Sequence, residues 1–226
     1  MWSSSLPTAV IFDMDGLMLD SEVIFKAAWQ RAGAALGYSL SDELYGSLVG
    51  RSNREVEVVF CQTYGDGFPV LRFRQLWGEF WEQQVKTTGV AIKPGLLELL
   101  DFLEQHQIPK AVGTSSEWKE ADLSLKTAGI FHRFKTIVTV DQAGAGKPAP
   151  DIFLMALDRL GVAPQDCLVF EDSNAGVKAA HAAGIPVIMV PDLQTPSAES
   201  KAIAAHIFSS LDEAVNWLRW PSEGGL

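Results

Sequence analysis

Two aspartates, Asp13 and Asp15, stand directly after an apolar run and could do chemistry together. Residues 9–12 are Ala, Val, Ile and Phe, a composition typical of a strand buried in a parallel sheet. Open α/β sheets bind their ligands outside the carboxyl ends of the strands. Strand residues two apart point to the same side, so both carboxylates can serve one site. The alternative is that both are turn residues that bond nearby backbone amides.

Two further runs that predict strands end in polar residues. Because parallel strands present their carboxyl ends at one edge of a sheet, we expect these residues to converge on the two aspartates. The polar residues are Thr114, Ser115 and Ser116 after the first of these runs, and Glu171 and Asp172 after the second.

Carboxylates from two strands at one sheet edge form a hard, oxygen-rich site of the kind that suits Mg²⁺. Without a cation these carboxylates would repel one another, and protonation of one of them would be the only relief. We therefore expect Asp13 and Asp172 as side-chain ligands of Mg²⁺. Asp15 would contribute its carbonyl oxygen, and Glu171 is the weaker candidate.

Lys147 lies in the sequence Gly-Lys-Pro-Ala-Pro-Asp, a rigid loop ahead of a predicted helix. Its positive charge and the Thr114 hydroxyl would offset the charge of a phosphoryl group under attack by a carboxylate. The backbone amides of Ser115 and Ser116 are further candidate donors to the substrate. The alternatives are a solvated loop lysine and ordinary turn residues at the end of a strand.

Four stretches, in this order, carry a resemblance to a known family: residues 12–22, 112–116, 146–151 and 169–176. Together they are similar to the motifs of the haloacid dehalogenase superfamily. The resemblance is to the branch that contains β-phosphoglucomutase and sugar-phosphate phosphatases, and it covers nearly the whole chain.

The resemblance implies a role for each aspartate. Asp13 would be the nucleophile that forms an aspartyl-phosphate, and Asp15 would protonate the leaving oxygen and then activate water. The implied activity is Mg²⁺-dependent hydrolysis of a small phosphorylated metabolite, either a sugar phosphate or a nucleotide-like monoester.

Three alternative functions can be weighed against the residues of this chain. A β-phosphoglucomutase would carry a histidine at the cap hinge, twelve residues after the nucleophile, where this chain has Phe25. A dehalogenase would need neither Asp15 nor the Glu171–Asp172 pair. A phospho-accepting signalling module would have no use for a built-in acid/base or for a long helical insertion.

The positions of the predicted elements indicate two domains. From 20 to 90 the sequence predicts helices, including an amphipathic helix with apolar residues every three to four positions over 70–85. From 91 onward helix and strand alternate, which indicates a doubly wound parallel sheet, Rossmann-like in the resembling family. We expect an α/β core over 1–19 and 91–226, and an all-helical cap over 20–90. The alternative is that these helices extend the core.

Substrate selection is expected to come from the helical segment. Arg51 and Lys86 are candidate contacts to the distal part of the substrate, and a solvated surface charge is the alternative for each.

Composition excludes some partners. A net charge of −10 argues against nucleic acid and anionic membranes, since both require a basic face. The longest apolar runs are too short to cross a bilayer. Cys61 and Cys167 are far apart and predict reduced, buried thiols. We therefore expect a cytoplasmic monomer that acts on a small molecule.

Overall fold

The computed structural model describes residues 6–48 and 53–219. The chain forms two compact units. The core unit comprises Met1–Asp20 and Ala91–Leu226, and the helical unit comprises Ser21–Val90.

The core unit is built on a six-stranded parallel sheet with the strand order β3-β2-β1-β4-β5-β6. The two halves of the sheet run outward from β1, so the strand order reverses at its carboxyl end, which is where open α/β sheets bind ligands. This confirms the predicted doubly wound α/β fold. The strands are β1 Ala9–Phe12, β2 Lys110–Gly113, β3 Thr136–Val138, β4 Cys167–Glu171, β5 Val187–Met189 and β6 His206–Ile207.

Helices of the core unit connect these strands. The run 136–140, Thr-Ile-Val-Thr-Val, predicts a strand, and this prediction is wrong in part, because the strand ends at Val138 and a short helix begins at Val140. Thr139 and Val140 are β-branched and favour a strand locally, but the Val140 amide bonds to the Ser116 carbonyl and turns the chain. The helices are α5 Leu96–Gln105, α6 Trp118–Thr127, α7 Val140–Ala143, α8 Asp151–Leu160, α9 Asn174–Ala182, α10 Ala198–Ile203 and α11 Leu211–Arg219.

The core sheet is buried along its central strands. Every residue of β1 and β4 is buried, and Phe12 stacks on Phe170 with ring centroids 5.5 Å apart. On one face Ile11 and Val169 pack with Phe153 of α8 in a continuous apolar cluster. These strands therefore form a rigid platform for the residues that follow them.

The helical unit has its own apolar core. Phe60, Phe68 and Phe73 form its centre, with ring centroids 4.9 to 5.4 Å apart. The sequence Ser-Asn-Arg-Glu at 52–55 has the capping-box pattern and predicts a helix start at Ser52, which lies outside the described residues. The helices are α1 Glu22–Ala35, α2 Asp42–Leu48, α3 Asn53–Tyr64 and α4 Val70–Thr88.

The amphipathic pattern over 70–85 forms α4, which buries Phe73, Trp81 and Val85 and ends at Thr88, directly before Gly89. Within residues 6–48 and 53–219, no helix combines the length and apolar composition that a membrane span requires.

Candidate active site

The register of the sheet places Asp13 at the centre of its carboxyl edge. Phe12 pairs with Val112 on one side and with Phe170 on the other, and the Asp13 amide donates to the Phe170 carbonyl at 2.9 Å. Asp13 therefore stands between the ends of β2 and β4, with 6% of its surface exposed.

Lys147 is inserted between two buried carboxylates. Its Nζ donates to Asp13 Oδ1 and, at 2.6 Å, to Glu171 Oε1. Burial opposes the charged lysine, but the charges of Asp13 and Glu171 outweigh it and raise the pKa of Lys147 above its ordinary value. Burial also raises the pKa of the Asp13 carboxyl to about 8, although the lysine works in the opposite direction. The lysine is therefore a buried cation, and the solvated-loop alternative is wrong.

The Asp15 carboxylate is held by hydroxyl groups that follow β2. Ser116 Oγ donates to Asp15 Oδ2 at 2.6 Å, and Thr114 Oγ1 lies 3.5 Å from the same oxygen. The Ser116 amide donates to Thr114 Oγ1 at 3.0 Å, so in this structure it bonds within the site. Ser115 is exposed, and its Oγ accepts from the Lys147 amide at 3.4 Å.

Asp172 completes an acidic group with Asp13 and Glu171. Each of the three offers a carboxylate oxygen, and these oxygens lie within 4.8 Å of one another. Burial, followed by the charges of Glu171 and Asp13, raises the pKa of Asp172 well above its ordinary value. The group is therefore a candidate metal centre, because a bound cation would offset the repulsion among these hard oxygen donors.

Two glycines give these carboxylates room. Gly16 has φ of +84°, and a Cβ atom at this position would collide with the Asp172 carboxylate. A Cβ atom at Gly176 would collide with the carboxylate of Glu171. Glu171 Oε2 accepts from the amide and the hydroxyl of Ser173, at 2.7 and 3.0 Å.

Sequence reasoning missed a further ion pair of the core unit, formed by Lys93 and Asp192. Lys93 Nζ lies 2.7 Å from Asp192 Oδ1 and 3.6 Å from Asp20 Oδ1. A signal was available, since Asp192 lies in the loop after β5 and Asp172 comes directly after β4. It was overlooked because 191–196 reads as an ordinary loop rich in turn residues.

The two candidate residues of the helical segment differ in status. Arg51 lies outside the described residues. Lys86 is exposed on α4 and donates to Glu82 Oε1 at 2.6 Å, one helical turn away. The role of Lys86 in substrate contact stays a prediction.

Comparison with known proteins defines the class of this chain. The sequence model of the family described as "Haloacid dehalogenase-like hydrolase" matches residues 10–190, which include all the described site residues of the core unit except Asp192. The chain belongs to this family, as its motifs predicted.

Three proteins illustrate what this chain is similar to within the family. The chain is 33% identical over 179 residues to a phosphorylated carbohydrates phosphatase of Thermotoga maritima, covering 78% of this chain and 82% of that protein. It is 35% identical over 218 residues to a protein of Drosophila melanogaster named "Probable pseudouridine-5'-phosphatase", covering 90% of each. The crystal structure of CbbY from Rhodobacter sphaeroides in complex with phosphate superposes with a TM-score of 0.81 at 25% identity, covering 92% of this chain and 96% of CbbY.

Proposed function

We propose that this phosphoric monoester hydrolase cleaves the phosphate of a small phosphorylated metabolite through a covalent intermediate on Asp13, with Mg²⁺ as its cofactor. One observation carries the proposal. At the centre of the sheet edge, a buried lysine bridges Asp13 and Glu171, next to the further carboxylate of Asp172. A buried ion pair of this kind contributes little net stability, so a chemical role explains it better than a structural one.

Asp13 is the proposed nucleophile. Its carboxylate oxygen would attack phosphorus as the bond from phosphorus to the leaving oxygen breaks, which forms an aspartyl-phosphate. Lys147 would hold the carboxylate in place and offset negative charge on the phosphoryl oxygens. The Thr114 hydroxyl and the Ser115 backbone amide are the proposed donors to those oxygens.

Asp15 is the proposed general acid and base. It would give a proton to the leaving oxygen and then take one from the water that attacks phosphorus, as the bond from phosphorus to the Asp13 oxygen breaks. Ser116, which donates to Asp15 at 2.6 Å, would fix the orientation of the carboxylate. We therefore propose a positioning role for Ser116 in addition to the substrate contact that the sequence predicted.

Mg²⁺ would be held by the Asp13 and Asp172 carboxylates and by the Asp15 carbonyl. When bound, it would offset the charge of the phosphoryl oxygens. Glu171 was the weaker candidate ligand, and both of its oxygens already accept hydrogen bonds, from Lys147 and Ser173. We therefore propose that Glu171 orients the lysine.

A sugar phosphate is the proposed substrate class. The two curated relatives are named for phosphorylated carbohydrates and for pseudouridine 5'-phosphate, and both of these carry a phosphomonoester on a sugar. The helical unit is the proposed cap that selects among such substrates.

The mutase alternative depends on position 25. Phe25 stacks on Trp81 with ring centroids 5.8 Å apart and an interplanar angle of 12°, and it also contacts Trp77. A phenylalanine ring has no hydrogen-bonding group, so it cannot take the place of the hinge histidine. We therefore propose that water, and not a second sugar hydroxyl, is the usual acceptor.

A phosphate-release screen tests the proposal. The purified protein is given Mg²⁺ and a panel of hexose, pentose and nucleoside monophosphates, beside a coupled assay for conversion of β-glucose 1-phosphate into glucose 6-phosphate with glucose 1,6-bisphosphate as primer. We expect multiple turnovers of phosphate release, loss of activity in EDTA and recovery with Mg²⁺. Full activity after thorough chelation would refute the metal assignment, and isomerisation faster than release would establish the mutase.

A further inference from the structure

The carboxylate of Asp192 is held at one oxygen and unpartnered at the other. Oδ1 accepts from Lys93 Nζ at 2.7 Å, and the side chain is 16% exposed. Oδ2 is inaccessible to solvent and has no hydrogen-bond partner among the described residues. A buried carboxylate oxygen without a donor is costly, so the position of Oδ2 calls for a ligand that donates to it.

Lys93 fixes the orientation of this carboxylate. It is 21% exposed, and its Nζ also lies 3.6 Å from Asp20 Oδ1. The Lys93 amide donates to the Met18 carbonyl at 2.9 Å, which ties the lysine to the chain that follows β1. The lysine therefore offsets the charge of Asp192 through Oδ1 and does not bond Oδ2.

Gly16 shows where Oδ2 points. A Cβ atom built on Gly16 would lie 3.5 Å from Asp192 Oδ2 and would also collide with Asp172 Oδ2. The two carboxylates thus face the same side of one glycine. Asp192 Oδ2 therefore borders the acidic group of the candidate metal centre.

We propose that Asp192 is a positioning residue of the cation site, whose Oδ2 accepts a hydrogen bond from the hydration shell of the divalent cation. The inference rests on the proposed function, in which Asp13 and Asp172 hold Mg²⁺. Mg²⁺ keeps several of its waters when proteins bind it, and those waters need acceptors. Carboxylates outside the ligand shell typically change metal affinity by about 10–100-fold when they are removed.

Isothermal titration of Mg²⁺ into substrate-free protein tests this proposal without any activity assay. We expect Asp192→Asn to bind Mg²⁺ about tenfold more weakly than the wild type. Asp20→Asn is the matched control, because it removes the same charge beside the same lysine without altering Oδ2. We expect its affinity to stay within about twofold of the wild type, as for a screened, partly exposed charge.

A double variant separates the hydrogen bond from the net charge. Lys93→Gln with Asp192→Asn removes one charge of each sign, and it also serves if the single variant folds poorly. We expect the weaker Mg²⁺ binding to persist in the double variant. Wild-type affinity in either Asp192 variant, or an equal loss in Asp20→Asn, would overturn the inference. Failure of the wild type itself to bind Mg²⁺ would instead refute the cofactor assignment under the proposed function and this inference with it.

Discussion

The candidate active site and the centre of the helical unit are both buried, but they are built from opposite chemistry. At the site, Asp13, Lys147 and Glu171 form a buried chain of ion pairs. In the helical unit, Trp29 has ring contacts to Phe60 and Phe73, with centroids 5.7 and 5.9 Å apart, and its indole nitrogen has no hydrogen-bond partner among the described residues.

This difference in burial chemistry distinguishes residues whose role is catalytic from residues whose role is packing. Burying charges costs free energy, and apolar residues of similar volume often replace an ion pair without loss of stability. Aromatic rings gain free energy from burial itself. Substitutions at the site should therefore change turnover most, and substitutions in the aromatic cluster should change stability most.

The largest effect is expected for Asp13→Asn. The amide keeps the shape of the carboxylate but is not a nucleophile, so turnover should fall by at least about 10⁴-fold. Phosphate release measures the loss, and circular dichroism checks the fold. The exposed Asp158→Asn is the control and should keep the wild-type rate. Comparable activity in a folded Asp13→Asn variant would contradict the assignment.

Asp15→Ala should lower the rate by about 10²–10⁴-fold on a sugar phosphate, the range for a positioned acid or base. An activated aryl phosphate needs little protonation of its leaving group, so formation of the intermediate should be spared. Bursts of the aryl alcohol in stopped-flow traces report this step. A burst rate on the aryl phosphate that falls by the same factor as the rate on the sugar phosphate would remove the acid role from Asp15.

Lys147→Ala should cost about 10²–10³-fold in kcat, as expected for one buried electrostatic donor. The lysine lowers the pKa of Asp13 against the effect of burial, so its removal should raise that pKa further. Ionised Asp13 would then require higher pH, and the acid limb of the pH profile should move upward. Lys178→Ala, at a partly exposed ion pair, is the control. An unchanged rate and profile in Lys147→Ala would leave the lysine without a catalytic role.

Phe60→Leu tests the aromatic cluster of the helical unit and should have the smallest effect on catalysis. Phe60 is 1% exposed at the centre of the helical unit, and we expect a loss of about 1 kcal/mol in the free energy of unfolding. Urea denaturation measures it, with the half-exposed Val58→Ala on the same helix as control. At a temperature where both variants are folded, kcat should change less than about twofold. A large fall in kcat with unchanged stability would contradict the packing role.

Much of the core followed from the sequence because local and long-range signals agreed. The apolar run before Asp13 specifies a buried strand, and the polar residues after the β2 and β4 runs had to meet it at one edge. The amphipathic helix α4 was equally readable, since its period alone identifies the buried face.

Other features depended on contacts that no local pattern encodes. Val140 begins a helix because its amide meets the Ser116 carbonyl, which lies 24 positions earlier in the chain. The Ser116 hydroxyl bonds Asp15, a partner 101 positions away. The role proposed for Asp192 follows only from its ion pair with Lys93 and its position beside Gly16. Such pairings come from the tertiary fold, and residue type alone does not specify them.

Trapping the covalent intermediate tests the central claim most directly. The Asp15→Ala variant is mixed with Mg²⁺ and an aryl phosphate, quenched in acid, reduced with borohydride and digested for mass spectrometry. Without its general base, the variant should accumulate the aspartyl-phosphate. We predict one equivalent of aryl alcohol in a burst and conversion of residue 13 to homoserine, both absent when Asp13→Asn is added to the same variant. A reduced residue at another position, or turnover with neither burst nor modification at residue 13, would contradict the account.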